Sequence, residues 1–79
     1  MDTKFWGPPM WVSLHSIAHG YPKEPTEEQQ QDYKTFMMSV GKVLPCRFCR
    51  ESFIKFSEEM PIDNYLSSKK ELQRWMYLM

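Results

Sequence analysis

The stretch Tyr33-Lys34-Thr35-Phe36-Met37-Met38-Ser39-Val40-Gly41-Lys42-Val43-Leu44-Pro45-Cys46-Arg47-Phe48-Cys49 decides how this chain folds. Tyr33, Phe36, Met37 and Val40 recur at i, i+3, i+4 and i+7, the spacing of one helical face. The stripe stops between Gly41 and Leu44, ahead of a proline that cannot continue a helix. Pro45-Cys46 then opens a second helix, which runs through Phe48, Cys49, Phe53 and Phe56 and stops before Pro61. The start of that helix carries the chain's only two cysteines.

Working outward, Thr26 and Gln29 have the spacing of a capping box and mark where the Tyr33 helix begins. Upstream, Trp11, Leu14, His15 and Ala18 form another single-face stripe. Pro8-Pro9 reads as its start and Gly20-Tyr21-Pro22 as its end. Downstream, Ser68 and Glu71 repeat the capping-box spacing, and Leu72, Trp75, Met76 and Met79 supply a fourth apolar face. No segment alternates with period two, so strands are not expected. The expectation is an all-α, antiparallel four-helix bundle with helices over about 9–19, 26–43, 46–58 and 68–79. Residues 1–79 read as one domain. The last helix stops at Met79 without glycine, a basic last turn or proline, and reads as incomplete.

Composition narrows the function. Ten basic and ten acidic residues balance, which leaves no basic footprint for nucleic acid. Apolar runs are too short to span a membrane, and the N-terminus lacks the apolar core of a secretory signal. A chain of 79 residues builds a marginal core, so a cofactor, a staple or a partner is expected to support it. Three Trp, four Tyr, five Phe and seven Met give ample apolar surface for either role.

The sharpest chemical element is Cys46-Arg47-Phe48-Cys49. Two sulfurs at this spacing can close a small disulfide or share a metal. The helix N-terminus and the charges of Arg47 and Arg50 favour thiolate over thiol. Cys46, nearer the helix end, is expected to be the exposed sulfur and Cys49 the more sheltered one. No βαβ pattern surrounds the pair, so a thioredoxin-like fold does not fit. The bland alternative is two buried, inert thiols.

His15 and His19 stand at i and i+4 and could join Cys46 and Cys49 in a Cys2His2 zinc site. Otherwise His15 is a core histidine with one nitrogen satisfied, and His19 a solvated one. Phe5, Trp6, Trp11, Tyr21 and Trp75 are explicable as core. Yet Trp6-Gly7-Pro8-Pro9-Met10-Trp11 places two indoles around a glycine without side-chain bulk, a surface on which a flat ligand stacks. The acidic Glu27–Asp32 run suits a solvated helix start.

These residues together resemble the Erv/ALR family of FAD-linked sulfhydryl oxidases. The resemblance rests on Trp6-Gly7, Trp11, Leu14-His15, Ala18, Tyr21-Pro22, Pro25-Thr26, Phe36, Pro45-Cys46-x-x-Cys49 and Trp75. It covers nearly the whole chain and looks most like the compact viral branch. It implies a four-helix bundle that holds FAD non-covalently and pairs as a homodimer through the first two helices. It also implies site roles. Cys46 exchanges with a dithiol of a protein substrate, and Cys49 sits beside the flavin. Trp11 and His15 contact the cofactor, and the Trp6-Gly7-Pro8 turn lies along it. Electrons then pass through FAD to molecular oxygen and yield hydrogen peroxide.

Two departures accompany the resemblance. Pro8 stands where many members carry arginine, and the family's His-Asn-x-x-Asn element, expected directly after Met79, is not in the sequence. The chain therefore looks C-terminally truncated, short of its flavin-binding segment. Host cytoplasm or virion would be the compartment of a viral protein, the mitochondrial intermembrane space that of an organelle one. A cofactor-free helical dimerisation module is the alternative to an oxidase.

Overall fold

The computed structural model describes residues 2–78, and among them every regular element is helical. Helix α1 spans Thr3–His19, α2 Glu27–Lys42, α3 Arg47–Glu59 and α4 Lys69–Leu78, with a short 3-10 turn, η1, at Ile62–Tyr65. The all-α bundle expected from the periodicity is therefore present. Helix α1 packs chiefly on α4, and α2 on α3. His19, at the end of α1, meets Gln73, while Tyr77 shares a groove with Trp11 and His15, so α1 and α4 run antiparallel.

Capping chemistry places the helix starts. Thr26 Oγ1 accepts from the Gln29 amide at 3.1 Å, and the Gln29 side chain accepts from the Thr26 amide at 2.9 Å, which completes the box. At α4 only half of the expected box forms among the described residues, Ser68 Oγ accepting from the Glu71 amide at 3.3 Å. The expected end of α4 at Met79 lies outside the described residues.

Helix α1 departs most from expectation. It starts at Thr3 rather than Pro9, so Trp6, Gly7 and Pro8 lie within the helix and do not form a turn. Asp2 is the reason: its carboxylate accepts from the Lys4 amide at 2.9 Å, and its carbonyl accepts from Phe5 at 2.9 Å. Prolines at 8 and 9 leave the carbonyls of Lys4 and Phe5 without helical donors. Both residues are exposed, so water can satisfy them. Gly7 has no Cβ to clash with the Pro8 ring, which eases the helical conformation before a proline.

The core comprises Leu14 and Ala18 of α1, Tyr21, Met37 of α2, Phe53 of α3, Ile62 and Leu66 around η1, and Leu72, Trp75 and Met76 of α4. Trp75 is 0% exposed, packs edge-on to Phe53 and tilted to Phe56, and donates its indole N–H to the Met60 carbonyl at 2.8 Å. Tyr21 donates to the Leu66 carbonyl at 2.7 Å. These two bonds tie the loop between α3 and α4 into the core. Gly41 lets α2 approach α3 closely, because a Cβ there would overlap the Phe53 ring. Ion pairs are peripheral: Lys34–Asp63 links α2 to η1, and Arg47–Glu51 lies along α3.

A dithiol at the mouth of an aromatic cavity

Cys46 is the N-cap of α3, in extended conformation, and its sulfur accepts the Cys49 amide N–H at 3.3 Å. A helix start lacks partners for its first amides, so a side chain at this position is drawn onto them. Both cysteines are free and both half-buried, so burial alone does not separate them as the sequence reading expected. Their surroundings do. Cys49 lines a cavity of about 310 Å³ between α1, α2 and α3, and Cys46 lies outside its lining.

The thiols are tuned in opposite directions. A hydrogen bond with the Cys49 thiol, aided by the Cys49 and Phe48 amides and the charge of Arg50, draws the Cys46 thiol below its ordinary range. The same bond with Cys46, then desolvation and the neighbouring sulfur's charge, pushes the Cys49 thiol up. The pair thus shares one proton preferentially held on Cys49, with thiolate character on Cys46.

The cavity wall is apolar and largely aromatic. Trp6, Trp11 and Leu14 come from α1, Met37, Val40 and Gly41 from α2, and Phe48, Cys49, Phe53 and Phe56 from α3. The Trp6 indole N–H is buried without a hydrogen-bond partner. Trp11 stands edge-on to His15, ring centroids 4.4 Å apart, and also borders a second, open groove of about 790 Å³. That groove contains His15, Ser16, His19 and Tyr77. The His15 Nε2 atom is likewise buried and unpartnered, whereas His19 Nδ1 meets the Gln73 amide at 3.0 Å.

Of the residues expected at the site, Trp6, Trp11 and Cys49 meet at the cavity, His15 lies in the adjoining groove, and Cys46 caps the helix beside it. Gly7 and Pro8 line neither hollow. The zinc alternative is overturned: no group of three or more potential ligands gathers among the described residues. His15 and His19 face the groove shared with Tyr77, which none of the cysteines lines. His19 is exposed at the end of α1, as a solvated residue there would be, and also meets Gln73, whereas His15 is half-buried with Nε2 unpartnered and lies outside the buried core. Sequence reasoning missed Gly41, Met37 and Phe56 as cavity residues, since nothing in their own spacing separates cavity wall from core.

An all-α bundle whose helix-capping dithiol opens onto an uncharged aromatic cavity defines a class of small helical dithiol proteins. The chain belongs to the Erv1 / Alr family, whose sequence model matches residues 8–79. It is 40% identical over 76 residues to a probable FAD-linked sulfhydryl oxidase of Acanthamoeba polyphaga mimivirus, covering 95% of this chain and 53% of that protein. It is 35% identical over 75 residues to the mitochondrial FAD-linked sulfhydryl oxidase ERV1 of Saccharomyces cerevisiae, covering 95% of this chain and 39% of that one. The crystal structure of the FAD binding domain of Erv1 from the same yeast superposes with a TM-score of 0.89 at 36% identity, covering 96% of this chain and 70% of that chain. The chain thus spans about half or less of the length of these two curated relatives.

Proposed function

We propose that this chain is the dithiol-bearing part of an FAD-dependent sulfhydryl oxidase acting on dithiols of protein substrates. One observation carries the reading: Cys49 lines an uncharged, largely aromatic cavity together with Trp6 and Trp11, and the Trp6 indole N–H is buried without a partner. An orphaned buried donor costs about 1–3 kcal/mol unless a ligand acceptor meets it. The carbonyl edge of a flavin ring is such an acceptor. Its planar rings match a cavity of about 310 Å³, and the rest of the dinucleotide is too large for it. The open groove beyond Trp11, with the unpartnered His15 Nε2, suits the more polar remainder. Trp6, Trp11, His15 and Cys49 would therefore hold the group, while Gly7 and Pro8 act by shaping α1.

The protein's part in the reaction is thiol exchange. With the pair oxidised, a substrate thiolate attacks the Cys46 sulfur, a substrate–Cys46 disulfide forms, and the Cys49 thiolate leaves. A second substrate thiol then attacks the mixed disulfide, so the substrate leaves as a disulfide and Cys46–Cys49 is left as a dithiol holding two electrons. Cys46 suits the exchanging role because it lies outside the cavity at the helix start, and Cys49 suits electron delivery because it lines the cavity. When bound, FAD would accept this electron pair and pass it to molecular oxygen as hydrogen peroxide. The apolar wall would keep water away from the Cys49 sulfur.

A homodimer through α1 and α2 belongs to the same proposal. It is supported by a small hollow across those helices, lined by Ile17, Asp32, Tyr33 and Phe36, and by the exposure of Phe36. No helix among the described residues is long and apolar enough to cross a membrane.

The test is an absorption spectrum of the purified chain with added FAD, followed by anaerobic dithiol titration of wild-type and Cys49→Ser protein. The expected result is bound flavin in both and bleaching by dithiol only in the wild type. Bleaching of Cys49→Ser at the wild-type rate, or no flavin bound by a folded chain or by a longer one carrying it, would overturn the reading.

A further inference from the structure

The two arginines that bracket the dithiol are not equivalent. Arg47 is exposed and spent on Glu51, its Nε 3.2 Å from that carboxylate. Arg50 is half-buried and turned back toward the preceding turn, its guanidinium donating to the Leu44 carbonyl at 2.6 Å. Its own amide meanwhile donates to the Cys46 carbonyl at 2.9 Å. Arg50 is thereby bonded to both sides of Pro45, through its backbone to Cys46 and through its side chain to Leu44. No other side-chain hydrogen bond among the described residues reaches the Val43–Pro45 connection. A charged guanidinium bonding a carbonyl is among the stronger hydrogen bonds available to a loop.

We propose that Arg50 is the positioning residue of the dithiol: its guanidinium closes the Leu44–Cys46 turn against α3, fixing the Cys46 sulfur over the first amides of the helix with a positive charge alongside. The role follows from what depends on that turn. The bonds from Cys49 that draw the Cys46 thiol down exist only while the Cys46 sulfur sits at the N-cap position. Other charges near the pair are few. The facing walls are uncharged, with Trp6, Trp11 and Leu14 on α1 and Met37, Val40 and Leu44 on the α2 side. On α3 the neighbouring charges are the mutually paired Arg47 and Glu51, with Lys55, Glu58 and Glu59 further along the helix, and Lys42 is exposed at the end of α2. Among the described residues, Arg50 is the one charged side chain that acts on both sulfurs.

That Cys46 receives the substrate sulfur rests on the oxidase reading above, but the positioning role can be measured without flavin or substrate. In a Cys49→Ser background, the rate of iodoacetamide alkylation of Cys46 is followed against pH for Arg50, Arg50→Met and Arg50→Lys proteins, with thermal melts alongside. Arg50→Met is expected to move the midpoint upward and slow alkylation at neutral pH by roughly threefold to tenfold, about half to one pKa unit. Arg50→Lys keeps the charge and a donor, and is expected to recover most of the rate. Superimposable profiles for all three folded proteins would overturn the proposal. Should Arg50→Met fail to fold, an Arg50→Gln protein, which keeps a shorter donor without the charge, gives the same reading: a wild-type profile overturns the role and a raised midpoint supports it. If the flavin test fails while these profiles separate, the oxidase reading falls and Arg50 stands.

Discussion

Trp75 and Trp6 are the same side chain in opposite states. Trp75 lies behind the Phe53–Phe56 wall, fully enclosed, with its indole N–H bonded to the Met60 carbonyl. Trp6 lines the cavity in front of that wall, and its N–H is buried and bonded to nothing. Trp11 beside it is 41% exposed. Behind the wall, aromatic area is used to hold the helices together. In front of it, similar area is left uncovered and one donor unsatisfied, the arrangement the proposed ligand-binding face calls for. Stability and binding are thus assigned to two sides of one aromatic layer.

Four substitutions test that division, from the most damaging to the least. Trp75→Ala empties the core and leaves the Met60 carbonyl unpaired, a loss of about 3–5 kcal/mol. That is most of the stability of a chain this short, so far-ultraviolet circular dichroism should show a largely unfolded protein at 37 °C. Gly41→Ala forces a methyl group into the Phe53 ring, which borders both the core and the cavity. Overpacking of about 1–3 kcal/mol should outweigh a helix-propensity gain of about 1 kcal/mol, lowering the melting temperature and weakening flavin binding together.

Tyr21→Phe acts behind the wall only. It leaves the Leu66 carbonyl unpaired and should cost about 1–2 kcal/mol in urea unfolding without affecting flavin binding. It also has a pH signature. Burial, and secondarily Tyr33, raises the Tyr21 phenol above its ordinary 10.0. The unfolded chain therefore ionises first, and the phenol's contribution is complete below pH 10.0 and lost as pH climbs toward the folded value. Unfolding measured at about pH 8 and about pH 11 should show a smaller alkaline loss in Tyr21→Phe than in the wild type.

Trp6→Phe is the mildest for the fold and the most pointed for the comparison. It removes a buried donor that has no partner, so stability should stay within about 0.5 kcal/mol or rise slightly. Flavin affinity should fall severalfold in an equilibrium titration. A strongly destabilised Trp6→Phe would place Trp6 with Trp75, as core, and erase the distinction between the two sides.

Much of the architecture was legible because its causes are local. The 3.6-residue stripes of Leu14/Ala18 and Leu72/Trp75/Met76 point inward as read, and Thr26 and Gln29 close their box within a single turn. The extension of α1 through two prolines was missed because it depends on one capping side chain, Asp2, outweighing a strong breaker signal. The 3-10 turn carries its own faint signal, Ile62, Tyr65 and Leu66 at i, i+3 and i+4, but is too short for periodicity to separate from a loop. Phe48, read with the apolar residues of α3, is 75% exposed at the edge of the cavity it lines, because the spacing of a helix face does not say which of its residues finds a neighbour.

By itself the sequence determined four helices, the Thr26 and Ser68 caps and a dithiol at a helix start, since hydrogen-bond periodicity and capping act over a few residues. Only the tertiary structure decided which tryptophans support the core and which line a cavity, where the Phe53 ring meets Gly41, and that Arg50 rather than Arg47 is bonded back across the turn. Those outcomes depend on which distant surfaces meet, and a side chain's own spacing carries no record of what will stand opposite it.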